Sequence, residues 1–301
     1  MMRQAGFFIE RAKRRSYTGA LTGMKAMIAT AALLLTVASL SQAADDGANF
    51  PFQVGEKLTY QIFWGPFIAG RATLNVEGIE QVDGHDCYHL IAQAKTSGLA
   101  DFLFHVDSTT ESWMDVNELY TRRYREHRVE GKKTRNTETL YDYDRHLMTT
   151  TNLNNGKTSV CPVDEHMQDV VSALYYVRLL PLKSSVTNKF LINAQGNNYP
   201  MNICPDARKS LWVRPVGDIE AVRIEPQPTL NIVAANHGRM WFWVSDDVRK
   251  LPLLVSTDMK IGAARLVLYK IESTDRPVTA TNVSTFNSVN SELATSGENS
   301  R

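Results

Sequence analysis

Thirteen short segments with alternating apolar and polar side chains, set apart by turn-forming residues, dominate this 301-residue chain. They read as Leu58–Trp64, Ala72–Glu77, Cys87–Lys95, Thr110–Asp115, Tyr120–Val129, Thr137–Tyr143 and His146–Leu153 in the first half. Lys189–Asn193, Lys209–Arg214, Glu220–Glu225, Gly238–Val244, Leu251–Asp258 and Ala263–Glu272 follow in the second. A period of two places alternate side chains on one buried face, so these are strands of a one-sided antiparallel sheet. Gly65-Pro66 with Gly70, Asp83-Gly84 and Asn155-Gly156 supply the backbone freedom of the turns. With 43% apolar and 22% charged residues the chain can bury a core, which excludes collagen, coiled coil and wholesale disorder.

One segment carries a helical period. Met167, Val170, Val171, Leu174 and Val177 recur at three- and four-residue spacing, with Asp164 and Glu165 ahead of them and Pro181 behind. This predicts an amphipathic helix over about 164–180.

The N-terminal region reads as an export signal. From Met24 the chain runs Lys25, an apolar stretch from Ala26 to Leu40, then Ser41-Gln42-Ala43 before Ala44-Asp45-Asp46. That is a basic start, a greasy middle too short for a membrane span, and small residues at a cleavage point after Ala43. The functional start is expected at Met24, the domain over 44–272 and a disordered tail over 273–301, where Ser, Thr and Asn replace periodic apolar residues. Residues 1–43 hold six Lys/Arg and one Glu, so the remainder has 27 basic and 31 acidic residues and a net charge of −4. A mildly acidic exported domain has no global pull toward nucleic acid, and no transmembrane span is expected in it. The expected location is periplasmic or secreted.

In an oxidising compartment Cys161 and Cys204, each followed by proline, are the favoured disulfide pair, with Cys87 a small buried apolar residue; three separate thiols are the alternative. Trp113-Met114-Asp115 and Trp243-Val244-Ser245-Asp246-Asp247 form a weak internal echo that any two antiparallel segments could produce.

Gly55-Glu56-Lys57-Leu58-Thr59-Tyr60 with Ala69-Gly70-Arg71-Ala72, then Gln168-Asp169-Val170-Val171-Ser172-Ala173-Leu174-Tyr175-Tyr176-Val177-Arg178, recur in a recognisable order. Trp243-Val244-Ser245-Asp246-Asp247, Leu251-Pro252-Leu253 and Ile261-Gly262 complete it. The set resembles the domain-of-unknown-function 3108 family of exported bacterial proteins over about residues 50–272. The resemblance brings no activity. It implies a mainly β domain and, by fold analogy with periplasmic lipoprotein carriers, a curved antiparallel sheet or incomplete barrel with one helix.

No residue set announces a reaction. Gly-x-Ser-x-Gly, catalytic Cys and Ser-x-x-Lys contexts and phosphate-binding glycine loops are missing from the sequence, so no enzyme, cofactor or metal is expected. Asp164, Glu165, His166 and Asp169 fit a helix start better than a metal site. His85, Cys87 and His89 share a strand face but lack a fourth ligand.

Two features remain. Arg122, Arg123, Arg125 and Arg128 concentrate positive charge in one hairpin, either to contact an anionic surface or, the reading preferred, as a solvated strand pair that resists edge aggregation. Met240-Trp241-Phe242-Trp243-Val244 is apolar on both faces, so one face must meet either the helix or a ligand. With Tyr60, Ile62, Trp64 and Phe67, Trp241 and Trp243 are the candidate lining of an apolar pocket, and Phe102-Leu103-Phe104 its lip. The leading expectation is a non-enzymatic periplasmic binding protein for a lipid or other hydrophobic small molecule. The alternative is an assembly module that meets an envelope protein.

Overall fold

The computed structural model describes residues 50–164, 166–184, 186–194, 196–228, 239–259 and 262–273. The expected export segment, cleavage point and, beyond Ser273, the expected tail lie outside the described residues.

The alternating segments form strands β1 (Lys57–Trp64), β2 (Phe67–Val82), β3 (His85–Thr96), β4 (Val106–Asp115), β5 (Thr121–Glu130), β6 (Lys133–Asp142), β7 (Leu147–Asn152) and β8 (Thr158–Pro162). After these come β9 (Met167–Gln168), β10 (Asn188–Ala194), β11 (Asn197–Val213), β12 (Gly217–Pro228), β13 (Met240–Ser245), β14 (Pro252–Met259) and β15 (Gly262–Glu272). Two helices are described, α1 (Gly98–Leu103) and α2 (Ser172–Leu179).

All fifteen strands belong to one sheet in the order β8-β7-β6-β5-β4-β3-β2-β1-β15-β14-β13-β12-β11-β10-β9. Every pairing is antiparallel except the short β9–β10 contact. Connectivity alone makes this sheet curl. Laid flat, fifteen strands would be roughly 65 Å wide. Its two edges, β8 and β9, are joined by residues 163–166, a link that reaches ~18 Å at most. The edges therefore come together, yet no backbone ladder closes them among the described residues. Side chains bridge the seam instead: Tyr141, Met148, Val163 and Met167 pack together with Leu191, and the Asn198 amide donates to the Pro162 carbonyl at 3.3 Å. The sheet is an open, rolled half-barrel.

Turn chemistry sets the registers. Asp83 and Gly84 both have positive φ, at 50° and 83°, the mirror-image turn whose twist matches a two-residue hairpin. Gly70, expected with Gly65-Pro66 as a turn residue, instead lies inside β2 opposite Thr96. A Cβ at this position would sit 2.2 Å from the Lys95 carbonyl oxygen, so the close approach of β2 and β3 requires glycine. Gly70→Ala is expected to lower stability by about 1–3 kcal/mol in urea unfolding. An unchanged midpoint would contradict the close approach.

The expected helix over 164–180 is corrected to Ser172–Leu179. Met167 and Gln168 pair with Leu191 and Ile192 as β9, so the apolar spacing that suggested one helix spans a strand, a turn and a helix. Asp169 orders the turn ahead of α2: its Oδ1 accepts from the backbone N–H of Val171 at 2.6 Å and Ser172 at 2.9 Å. Pro181 follows its last turn, and Leu180 is already extended.

Helix α2 and residues 50–56 plug one end of the roll. Phe52, Val76, Tyr88, Leu90, Met114, Leu119, Val171 and Tyr175 bury one another there. At the opposite end lie the β1–β2 turn, α1 and the β5–β6 turn.

Candidate functional site

Opposed residues of an antiparallel pair share a face. Tyr60, Ala72, Ala94, Ser108, Arg128 and Arg135 are opposed in turn across β1 to β6, and so form one row along the concave side. The first four line a hollow of about 490 Å³. One wall is made of small side chains, Ala72, Ala92 and Ala94 with Ser108 and Thr110. The facing wall carries Phe190, Met201, Ile203, Ile224, Phe242 and Val255, and α2 contributes Ala173, Leu174 and Val177. The hollow exists because small residues on β2 and β3 leave unfilled what large residues on the other strands bound.

Its charged and phenolic groups are committed to the protein, while the Ser108 and Thr110 hydroxyls also line it. The Tyr60 hydroxyl donates to the Pro252 carbonyl at 2.9 Å, and burial pushes it far above its ordinary titration range. Arg178, 2% exposed, donates through Nη1 to Glu56 Oε1 at 2.6 Å and through Nη2 to Oε2 at 3.0 Å. It also donates to the carbonyls of Pro51 and Arg249. The guanidinium thereby ties α2 to residues 50–56 and to the β13–β14 turn. Outside the lining, ahead of α2, Asp169 is fully buried, with the hydroxyls of Ser112 and Thr121 donating to Oδ2. Burial raises its carboxyl above the usual range while these donors, and the two backbone N–H groups, pull the other way. Nothing here resembles a poised nucleophile and base.

The six candidate lining residues are divided. Tyr60 lines the hollow and Ile62 packs next to the adjoining core. Trp64 and Phe67 pair with each other at the β1–β2 turn, with Phe67 exposed. Trp241 and Trp243 lie on the other face of β13, because alternation gives the hollow Met240, Phe242 and Val244. Trp243 packs in the cluster of Val213, Ala221, Leu251 and Leu253, with the Lys209 ammonium 4.4 Å from its ring. The alanines of β2 and β3 went unrecognised in the sequence. Their signal was Ala92 and Ala94 repeating on one strand face.

The four arginines do not form one patch. Arg122 pairs with Asp115 at 3.0 Å and Glu118 at 2.8 Å. Arg123 and Arg125 share Glu138 on the convex face, Arg123 lying 4.6 Å above Trp113. Arg128 faces the concave side with Glu126 and Glu130. The expected Cys161–Cys204 bridge is not formed: all three cysteines are free thiols, Cys161 on edge strand β8 and Cys204 on β11, with β9 and β10 lying between them across the seam. Cys87 is buried, which pushes its thiol to about 12.

His85, Cys87 and His89 also part company. His85 turns to Asp115 at 3.3 Å, while His89 sits between Glu80 at 3.0 Å and Glu111 at 2.9 Å and stacks on Trp113. Donation from the Trp113 indole holds the Glu80 carboxyl below its usual range. Asp164 and His166 are exposed and Asp169 buried, so the cluster at the expected helix start is dispersed, and Glu165 lies outside the described residues. Among the described residues no three His, Cys, Asp or Glu side chains gather for a metal, and no helix is long and apolar enough to cross a membrane.

Fold and hollow together define a rolled, open antiparallel β protein with an apolar interior. The family model for proteins of unknown function DUF3108 matches residues 59–269, and the chain belongs to that family. A solved structure with a similar fold is the β-barrel-like protein of domain of unknown function DUF1849 from Brucella abortus. It is 8% identical, with a TM-score of 0.51, and the match covers 74% of this chain and 99% of that one. A protein with a YmcC-like fold from Bacteroides fragilis, also 8% identical, matches over 74% of this chain and 97% of its own, at a TM-score of 0.28. No curated protein matches the sequence.

Proposed function

We propose that this protein is an exported, non-enzymatic carrier that holds a lipid or similar hydrophobic molecule inside its rolled sheet. The observation that carries the reading is the hollow of about 490 Å³, which falls within the range of small-molecule sites and has an almost wholly apolar lining. Tyr60 and Arg178 face it already engaged, leaving the Ser108 and Thr110 hydroxyls as its polar side-chain contacts on that wall, so a guest would gain most from leaving water. An apolar space offers water too few hydrogen-bond partners and takes up apolar guests instead. Export is supported by the Lys25, Ala26–Leu40 and Ser41-Gln42-Ala43 pattern.

Organic-solvent extraction of the natively purified protein, followed by mass spectrometry, tests the reading. A lipid recovered in near-stoichiometric amount is the expected result. A blank extract from protein prepared without detergent would overturn it.

A further inference from the structure

One end of the roll is closed by α2 and residues 50–56; the other carries exposed apolar side chains that the fold does not use. Phe67 and Ile68 at the start of β2 and Leu99, Phe102, Leu103 and Phe104 around α1 are 53–86% exposed. Helix α1 has six residues and buries none of them. A helix this short gains no stability in water by displaying Leu and Phe, and apolar groups gathered on one rim mark a contact surface.

The rim is one connected structure. The Ser97 N–H donates to the Ala69 carbonyl at 2.9 Å, joining α1 to β2. The Gly131 N–H donates to the His105 carbonyl at 2.7 Å, joining it to the β5–β6 turn, and the Phe104 ring lies against Gly131. Along β3, Ala94 lines the hollow and Thr96, two residues or ~7 Å further, leads into α1. The apolar rim thus borders the hollow directly.

Its charges have a sign. Asp101 is engaged by Thr96 and His105, Asp107 by Lys95 at 2.7 Å, and Glu130 by Arg128 at 3.4 Å. Lys132 and Lys133, exposed at the β5–β6 turn next to Phe104, form no ion pair among the described residues, Lys133 lying opposite Glu130, whose carboxylate is taken by Arg128. Apolar side chains with unmatched ammonium groups beside them fit the boundary of an anionic bilayer, where rings enter the acyl region and lysines meet head-group phosphates. We infer that this rim, Phe67 and Ile68 with α1 and Lys132-Lys133, docks the protein on an anionic phospholipid membrane, with the hollow facing the lipid. The inference rests on the carrier reading for its purpose, but not for its test.

Flotation of the purified chain with phosphatidylcholine vesicles, with and without phosphatidylglycerol, reads the docking. Binding is expected with phosphatidylglycerol and to weaken with salt. Phe102→Ser with Leu103→Ser should raise the lipid concentration for half-binding on the order of tenfold or more, since both side chains would otherwise leave water. Lys132→Glu with Lys133→Glu should remove the preference for the anionic vesicles. All four residues are exposed, so the unfolding midpoints should be unchanged, which separates these effects from misfolding. Absence of flotation at every composition, flotation indifferent to both variants, or a dimer that the Phe102 and Leu103 changes convert to monomer would overturn the inference. Lipid recovered by extraction from a protein that does not float would leave the carrier reading standing and this one fallen; flotation with an empty hollow would do the reverse.

Discussion

Arg178→Ala will destabilise the domain by about 3–5 kcal/mol, the penalty for removing one partner of a buried ion pair. Glu56 is 7% exposed and would keep a carboxylate out of water with its forked partner gone. The carbonyls of Pro51 and Arg249 would lose donors at the same time. The guanidinium also lies 5.5 Å from the Phe52 ring and 5.7 Å from Tyr175, so packing at the closed end would suffer too. Arg178→Lys should recover little, because one ammonium cannot reproduce a planar fork that reaches a carboxylate and two carbonyls. Replacing Glu56 and Arg178 together with Leu and Met should recover much of the loss, since no charge then remains stranded. Arg223→Ala, which breaks an exposed pair with Asp206, should cost no more than about 1 kcal/mol. Urea unfolding of the four variants checks the series. A loss for Arg178→Ala as small as that for Arg223→Ala would contradict the clamp.

Much of the sheet was legible because strand alternation and turn residues are local signals. Leu58–Trp64, Cys87–Lys95 and Ala263–Glu272 each fall within or on the strands that form, and Asp83-Gly84 makes the hairpin its residues favour. Long-range competition was not legible. Met167-Gln168 reads as helix locally, but β10 captures it, and Asp169 resets the helix start only because Ser112 and Thr121 are brought to it from distant strands. Helix α1 was hidden because it has no buried face to impose a period.

The candidate site was legible in kind and not in membership. An apolar strand with both faces covered was evident at Met240–Val244, but which parity faced inward depends on the register of β13 against β12, where Ile224 opposes Phe242 and Arg223 opposes Trp243. Large aromatics also draw attention away from the residues that create space. A hollow is made by what is small, and Ala72, Ala92 and Ala94 leave no aromatic mark on the sequence.

Those alanines carry the second large effect. Ala92→Phe with Ala94→Phe should place two rings where the structure has open space, filling the hollow from the β3 side. Filling an existing void costs far less than forcing atoms into a packed core, so the fold should survive with its unfolding midpoint nearly unchanged. Ligand capacity should not survive. The direct measurement is titration of delipidated protein with a fluorescent fatty acid, comparing the native chain with the doubly substituted one. One saturable site per native chain, weakened on the order of tenfold or more in the filled variant, is the predicted result. Equal binding by both proteins, or no saturable binding by the native chain, would contradict an interior site.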